Sequence, residues 1–545
     1  MRILSRKSAP LFALLMAGCT SEKVVFRDPF NPPPDAASGF LGYFTTPDKQ
    51  TTCGNCHVSH QGLAGRGGWV NTAHASAWEA LANIGQDANA ECTTCHTVSD
   101  KGNATAPPAG YDAVADSAYH DVQCESCHGP GNTHVQAPDA APSEGNPPLA
   151  HIAVLGDSAT TAAGCGGCHT GIHTPFVEEW SQSLHAESLQ EEPGVFVADN
   201  PSCASCHEGK AALAAWGVTA NYAEKSETGN THFLGITCAV CHDPHGFTVD
   251  ADGKPVEGQL RFPIDIPDAN QNLCMKCHQR RSVPDAASSR GPHSPQGPML
   301  LGDAGYHPAG FDPDVQAVAT THGSDRNPRL CAGCHVNRLT VTDAATGNFT
   351  FQSVGHLFRP IPCLDAQGIP THDLNCAYDA TSRSWGACTN SGCHADATAA
   401  AAAFNLSSQR EDQLTKQIWD DKNANDIIDT TGVDGGYLSD FSKVPRTEYA
   451  AGDNTITPAE GALFNVRMLR PGPRELGGGA DGSSGVHNPF LAEALLRADI
   501  DELQATYPGL PPPAPAVQGI LRGPLGAVTK RPLSRPLIAR PTLSR

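Results

Sequence analysis

Cys124-Glu-Ser-Cys127-His128-Gly-Pro-Gly-Asn-Thr-His134 decides how this chain is read. Two thiols separated by two residues, followed at once by an imidazole, can take two vinyl groups on one porphyrin edge and place a nitrogen on the iron. The same pattern stands at Cys53/Cys56/His57, Cys92/Cys95/His96, Cys165/Cys168/His169, Cys203/Cys206/His207, Cys238/Cys241/His242, Cys274/Cys277/His278 and Cys331/Cys334/His335. A ninth stretch, Cys388-Thr-Asn-Ser-Gly-Cys393-His394, holds four residues between its cysteines and is read as a widened attachment site. Structural zinc would need paired Cys-x-x-Cys units without an obligatory following histidine, and a redox dithiol would normally occur once. The expected cofactors are therefore nine covalently bound haem c groups, with the nine histidines as proximal iron ligands.

The sixth coordination position follows from what is left over. Beyond the N-terminal region the methionines are Met275, Met299 and Met468, and Met275 lies inside an attachment site. Histidine is abundant, with 24 copies in the chain, so bis-histidine ligation is expected, which implies lower potentials than His/Met ligation. An internal duplication narrows the choice. Trp69-Val-Asn-Thr-Ala-His74 precedes Cys92 as Trp180-Ser-Gln-Ser-Leu-His185 precedes Cys203, and each copy is flanked by further attachment sites. Each repeat thus offers three matched distal candidates: His74, His120 and His134, then His185, His232 and His245. His60 and His173 also recur, as reserves. His293, His322, His356 and His487 are the candidates for the last three sites.

The Cys124–His134 stretch, the Cys238-Ala-Val-Cys-His-Asp-Pro-His245 unit and the histidines ahead of each motif resemble the multihaem c-type cytochromes with doubled Cys-x-x-Cys-His motifs. That group is related in motif style to the tetrahaem carriers of ammonia oxidisers and resembles octahaem electron-transfer cytochromes. Gly485-Val-His487-Asn-Pro489 is similar to a C-terminal histidine element of larger members. The resemblance covers roughly residues 50–505. It implies electron transfer through closely packed haems in the periplasm or on the outer surface.

Composition agrees. Only 39% of the chain is hydrophobic and 6% aromatic, with Gly 54 and Pro 44. At roughly 38 residues per site between Cys53 and His394, haems would supply the apolar interior that side chains do not. The expected fold is mostly irregular, with short α-helices around a closely spaced multihaem chain, all-α by class. The net charge of −21 argues against nucleic acid and suits basic redox partners.

The N-terminus has Arg2, Arg6 and Lys7 before a short apolar run ending Leu15-Met16-Ala17-Gly18-Cys19. It resembles a bacterial lipoprotein signal with Cys19 as the lipidated residue; an ordinary cleaved signal with an incidental cysteine is the competing reading. The expected location is the outer membrane, facing the periplasm or the cell surface. Cys363 and Cys376 have no adjacent histidine and are expected to form a disulfide, as an oxidising compartment allows. The expected organisation is a signal peptide over 1–18, a lipid-anchored linker over 19–50 and three-haem modules over 51–150 and 151–250. A three-haem region with the disulfide follows over 251–395, then a helical region over 396–506 and a Pro-rich basic tail over 507–545. Helices are expected over Ala397–Trp419, from Thr457-Pro458 and from Asn488-Pro489. Asp421, Asn423, Asn425 and Asp429 have the spacing of a calcium loop but lack its Gly and Glu, so calcium stands beside a solvated loop.

Three functions are compatible with this pattern. An electron conduit between donor and acceptor cytochromes, a carrier rather than an enzyme, is the leading one. A multihaem oxidoreductase of a small nitrogen or sulfur compound would need one open iron, and a cytochrome filament would need a donated distal histidine.

Overall fold

The computed structural model describes residues 32–515 except 62–67, 104, 142, 144–147, 149–163, 187–200, 219–234, 247, 250, 251, 313–321, 391, 450 and 451. Cys19, His232 and the tail from residue 516 onward lie outside the described residues. From residue 32 to about 396 the chain is mostly turns and loops with helices of three to seven residues. Three two-stranded antiparallel sheets interrupt it, pairing Tyr43–Thr45 with Gln50–Thr51, Leu339–Thr342 with Phe349–Ser353, and Cys363–Leu364 with Pro370–Thr371. The all-α label is therefore loose, while the irregular, short-helix architecture is as expected.

The duplication is visible in hydrogen bonds. The Trp69 indole donates to the Val122 carbonyl at 2.9 Å, and the Trp180 indole donates to the Ile236 carbonyl at 2.8 Å. The Val122 amide in turn donates to the His74 carbonyl and the Ile236 amide to the His185 carbonyl. In both repeats the tryptophan and the histidine five residues on are thus clamped to the segment that leads into the third attachment site.

The linker expectation fails from residue 35 onward. Phe40, Leu41 and Tyr43 are buried, and Phe40 packs with Val98, Ala109 and Tyr119. Tyr119 accepts from the Asp35 amide at 2.9 Å and donates to the Phe40 carbonyl at 2.8 Å. The buried Glu125 carboxylate accepts the amides of Leu41, Gly42 and Gly131. The Pro-rich composition around Pro32 to Pro34 conceals an anchored strap.

Beyond His394 the chain builds the largest side-chain core. The helix Ala397–Ile418 is capped by Asp396, whose carboxylate accepts the Ala399 amide. Pro458–Leu469 opens on a capping box between Thr457 and Glu460, and Pro489–Thr506 is capped by Asn488. Leu491, Leu495, Leu496, Ile500 and Leu503 form the apolar stripe of the last helix and are all buried against Leu414, Ile418, Val466 and Met468. Asn465 ties this core inward: its amide donates to Asp499 and to the Tyr306 carbonyl, and its oxygen accepts the Tyr306 amide at 2.7 Å. Cys363 and Cys376 are disulfide-bonded with Cα atoms 5.9 Å apart, and Arg383 fills that loop, donating to the carbonyls of Ile361, Leu374 and Cys376. No described helix is long and apolar enough to cross a membrane.

Candidate haem-binding site

All eighteen motif cysteines and all nine motif histidines line one connected cavity of about 5240 Å3. Ordinary small-molecule pockets reach only about 1,000 Å3, so this space suits several large planar groups in contact. The eighteen thiols are free of disulfides.

Second histidines face the motif histidines across this space. The ring-centre separations are 6.4 Å for His57 and His134, 6.2 Å for His128 and His245, and 6.2 Å for His169 and His74. They are 5.9 Å for His207 and His293, 6.4 Å for His242 and His356, 6.2 Å for His278 and His185, and 6.2 Å for His335 and His487. Two metal–nitrogen bonds of about 2.0–2.1 Å on opposite sides of one ion, with each ring centre on the order of 1 Å beyond its nitrogen, separate two ring centres by about 6 Å. Each pair has the span of a bis-imidazole iron. His394 is within electrostatic reach of His322.

The remaining expected histidines are placed differently. His120 is absent from the cavity wall because its ring stacks on Trp78, with centres 3.7 Å apart. His60 stands edge-on to His57 at 6.2 Å and contacts His245 at 4.9 Å. His173 stacks on Phe349. The motif histidine His96 has its Nδ1 held by the Ala77 carbonyl at 2.8 Å.

The rings are prepared as ligands. Nδ1 of His128 is bound by the Pro148 carbonyl at 3.1 Å and that of His335 by the Phe358 carbonyl at 2.8 Å. The Asp481 carboxylate accepts from His487 Nδ1 at 2.8 Å, and Gly258 holds Nδ1 of His242. An Nδ1–H given to an acceptor fixes the tautomer and leaves Nε2 for a metal. Burial pushes His74, His335 and His356 down to about 4 and His185 to about 3, favouring the neutral, ligating form. His487 alone of these is raised, because Asp481 outweighs its burial.

Several site residues gave no sequence motif. Glu179 accepts the amides of Val354 and His356, tying the His356 loop to the Trp180 segment. Phe358 packs edge-on against His185 at 4.4 Å, and Phe176 against His169 and His356. Arg280, Arg281, Arg290, Arg326 and Arg359 line the cavity of this acidic protein. Nε of Arg359 is buried without a hydrogen-bond partner, a donor suited to a haem propionate. The run of arginines between residues 280 and 338 was the signal available in the sequence. These observations fit covalently attached haem, which supplies one-electron chemistry when bound.

The family model of cytochrome c554 and c-prime matches residues 52–129, the span of the first three attachment sites. The multiheme cytochrome MtrA of Shewanella baltica (strain OS185) is 24% identical over 274 residues, covering 47% of this chain and 69% of that protein. The chain is a multihaem c-type cytochrome. Among solved structures, the outer cell wall cytochrome OcwA aligns with this cytochrome over 75% of each chain, at 18% identity and a TM-score of 0.39.

The calcium-loop residues of the cytochrome are engaged with one another. Asp421 accepts the amides of Asn425 and Asp426 and pairs with Arg470 at 3.4 Å, while Asn423 and Asn425 both donate to Asp429. Among the described residues no group of three or more His, Cys, Asp or Glu side chains is arranged to hold a metal ion directly.

Proposed function

We propose that this cytochrome is a nonahaem electron conduit that is exported and passes electrons through bis-histidine haems towards a periplasmic or extracellular acceptor. The observation that carries the reading is the set of seven facing histidine pairs, each joining one motif histidine to one distant histidine at the span of an iron. On this reading the second ligands are His134, His245, His74, His293, His356, His185 and His487 for the sites of His57, His128, His169, His207, His242, His278 and His335. His322 serves the widened site at His394. Electron transfer as such accords with the multihaem relatives; the count of nine and the ligation are proposed here.

The partners are a donor and an acceptor cytochrome or an outer-membrane conduit, with a lipid on Cys19 as the tether. The Cys363–Cys376 disulfide supports an oxidising compartment. Calcium is left out of the reading, because the oxygens of its candidate loop already hold amides and Arg470.

The mass of the mature protein counts the haems and detects the lipid together: nine haems and a diacylated Cys19 are expected. Electron paramagnetic resonance should give low-spin signals from the eight sites with a second histidine named above, with no uptake of carbon monoxide or nitrite at them. A high-spin iron at any of these eight that binds either ligand would overturn the conduit in favour of an oxidoreductase, and fewer than nine haems would reject the count.

A further inference from the structure

The motif thiols meet in pairs. Cys53 lies beside Cys124, Cys95 beside Cys168, Cys165 beside Cys238, Cys206 beside Cys277 and Cys274 beside Cys331, all on the wall of the one cavity. Every contact joins cysteines of two different attachment sites. With the sites numbered 1 to 9 along the chain, these contacts join 1 to 3, 2 to 4, 4 to 6, 5 to 7 and 7 to 8. Three further pairs stand within electrostatic reach: Cys127 and Cys168 (3 and 4), Cys241 and Cys277 (6 and 7), and Cys334 and Cys393 (8 and 9). None of the eight joins site 1 to 2, 2 to 3, 4 to 5 or 5 to 6.

The internal duplication provides an independent check. It maps sites 1, 2 and 3 onto 4, 5 and 6, and the next site after each copy is 4 and 7 respectively. The contacts 1–3, 2–4 and 3–4 then become 4–6, 5–7 and 6–7, all of which are present. One ring pair follows the same rule, since His74 faces site 4 and its counterpart His185 faces site 7, whereas His134 faces site 1 and its counterpart His245 faces site 3.

A thioether sulfur sits on the porphyrin edge, so thiols in contact bring two bound macrocycles edge to edge. We infer that the haems form a line of seven in the order 1, 3, 4, 6, 7, 8, 9, with site 2 attached at site 4 and site 5 attached at site 7. Electrons then cross the protein between sites 1 and 9, and sites 2 and 5 are side stations. Exposure marks the same two ends: Cys56 of site 1 and Cys393 of site 9 are the exposed motif thiols, and the other sixteen are partly buried. The inference rests on the nine-haem reading above.

Iron positions located by anomalous scattering in crystals of the holoprotein test it. The expected nearest-neighbour map is the line just given, with sites 2 and 5 each touching it at one point. Nine irons in another order, or with site 2 or 5 inside the line, would overturn the inference while leaving the haem count intact. Fewer irons would instead reject the reading beneath it. In solution, the paired variants C92A/C95A and C238A/C241A remove sites 2 and 6 respectively. After rapid partial reduction, loss of the fast internal equilibration is expected only without site 6. Equal behaviour of the two variants would count against the order, and if either fails to fold the iron map decides alone.

Discussion

His74 faces His169 across 6.2 Å, although the two belong to different repeats. Spacing along the chain had grouped His74 with the sites of its own repeat. The fold instead lends it to the first site of the next. In the variant H74G one iron should lose its sixth ligand, turn high-spin and take up carbon monoxide. The structure of that adduct should show the ligand at the Cys165/Cys168 haem. An adduct at the Cys92/Cys95 haem would refute the pairing.

Glu179 holds His356 from a distance of 175 to 177 residues in sequence, through two amide hydrogen bonds of 2.9 and 2.6 Å. Replacement by alanine strands two buried donors, at a cost of about 1–3 kcal/mol each. E179A should therefore lower the thermal midpoint and broaden or shift the low-spin signal of one haem. E179Q keeps an acceptor oxygen and should restore most of both. Identical spectra for E179A and the parent protein would remove Glu179 from the positioning of His356.

Glu411 titrates far from its ordinary range. Burial, with Asp481 adding to it, pushes its carboxyl well upward, so the folded protein keeps a proton that the unfolded chain releases above about 4.3. Stability is greatest below that value and declines as pH rises towards the folded-state value, by up to about 1.4 kcal/mol per pH unit. The variant E411Q should flatten this decline between pH 5 and neutrality, as seen in denaturation midpoints across pH. A slope equal to that of the parent would exclude the carboxyl as its source.

Arg383 fills the disulfide loop with three carbonyl contacts and a guanidinium 3.7 Å from the Tyr378 ring centre. Lysine offers neither the planar fork nor the stacking. R383K should destabilise this loop by about 1–3 kcal/mol, measured as faster local hydrogen exchange over 361–383. The double variant C363A/C376A, which opens a loop of 13 residues, should cost about 3 kcal/mol. Unchanged exchange in R383K would mean that the disulfide alone holds the loop.

In the C-terminal core, Leu495 is fully buried among Leu414, Val466 and Leu491. L495A should destabilise the protein by about 2–5 kcal/mol without altering the haem spectrum. A spectral change at the His335 site would show that the core and His487 move together.

The multihaem character, the duplication and the three capped C-terminal helices were legible in the sequence because each rests on a local pattern. Cys-x-x-Cys-His, Thr457–Glu460 and Asn488-Pro489 all act over a few residues. The pairing of rings was not legible, because it depends on which loops cross in space. His120 and His134 stood on either side of Cys124 as equal candidates, yet Trp78 claims the first and His57 faces the second. The strap from Asp35 to Tyr43 was hidden behind the prolines that precede it, since its anchor, Glu125, lies inside a haem motif more than 80 residues away.

The exchange of rings between repeats also bears on how such a chain can be divided. His245 of the second repeat faces His128 of the first, while His74 of the first faces His169 of the second. On the proposed ligation, a cut between the repeats would leave each fragment with an iron short of one axial base. The two copies would then be reciprocal tenants of each other's coordination spheres, and neither a transferable cassette.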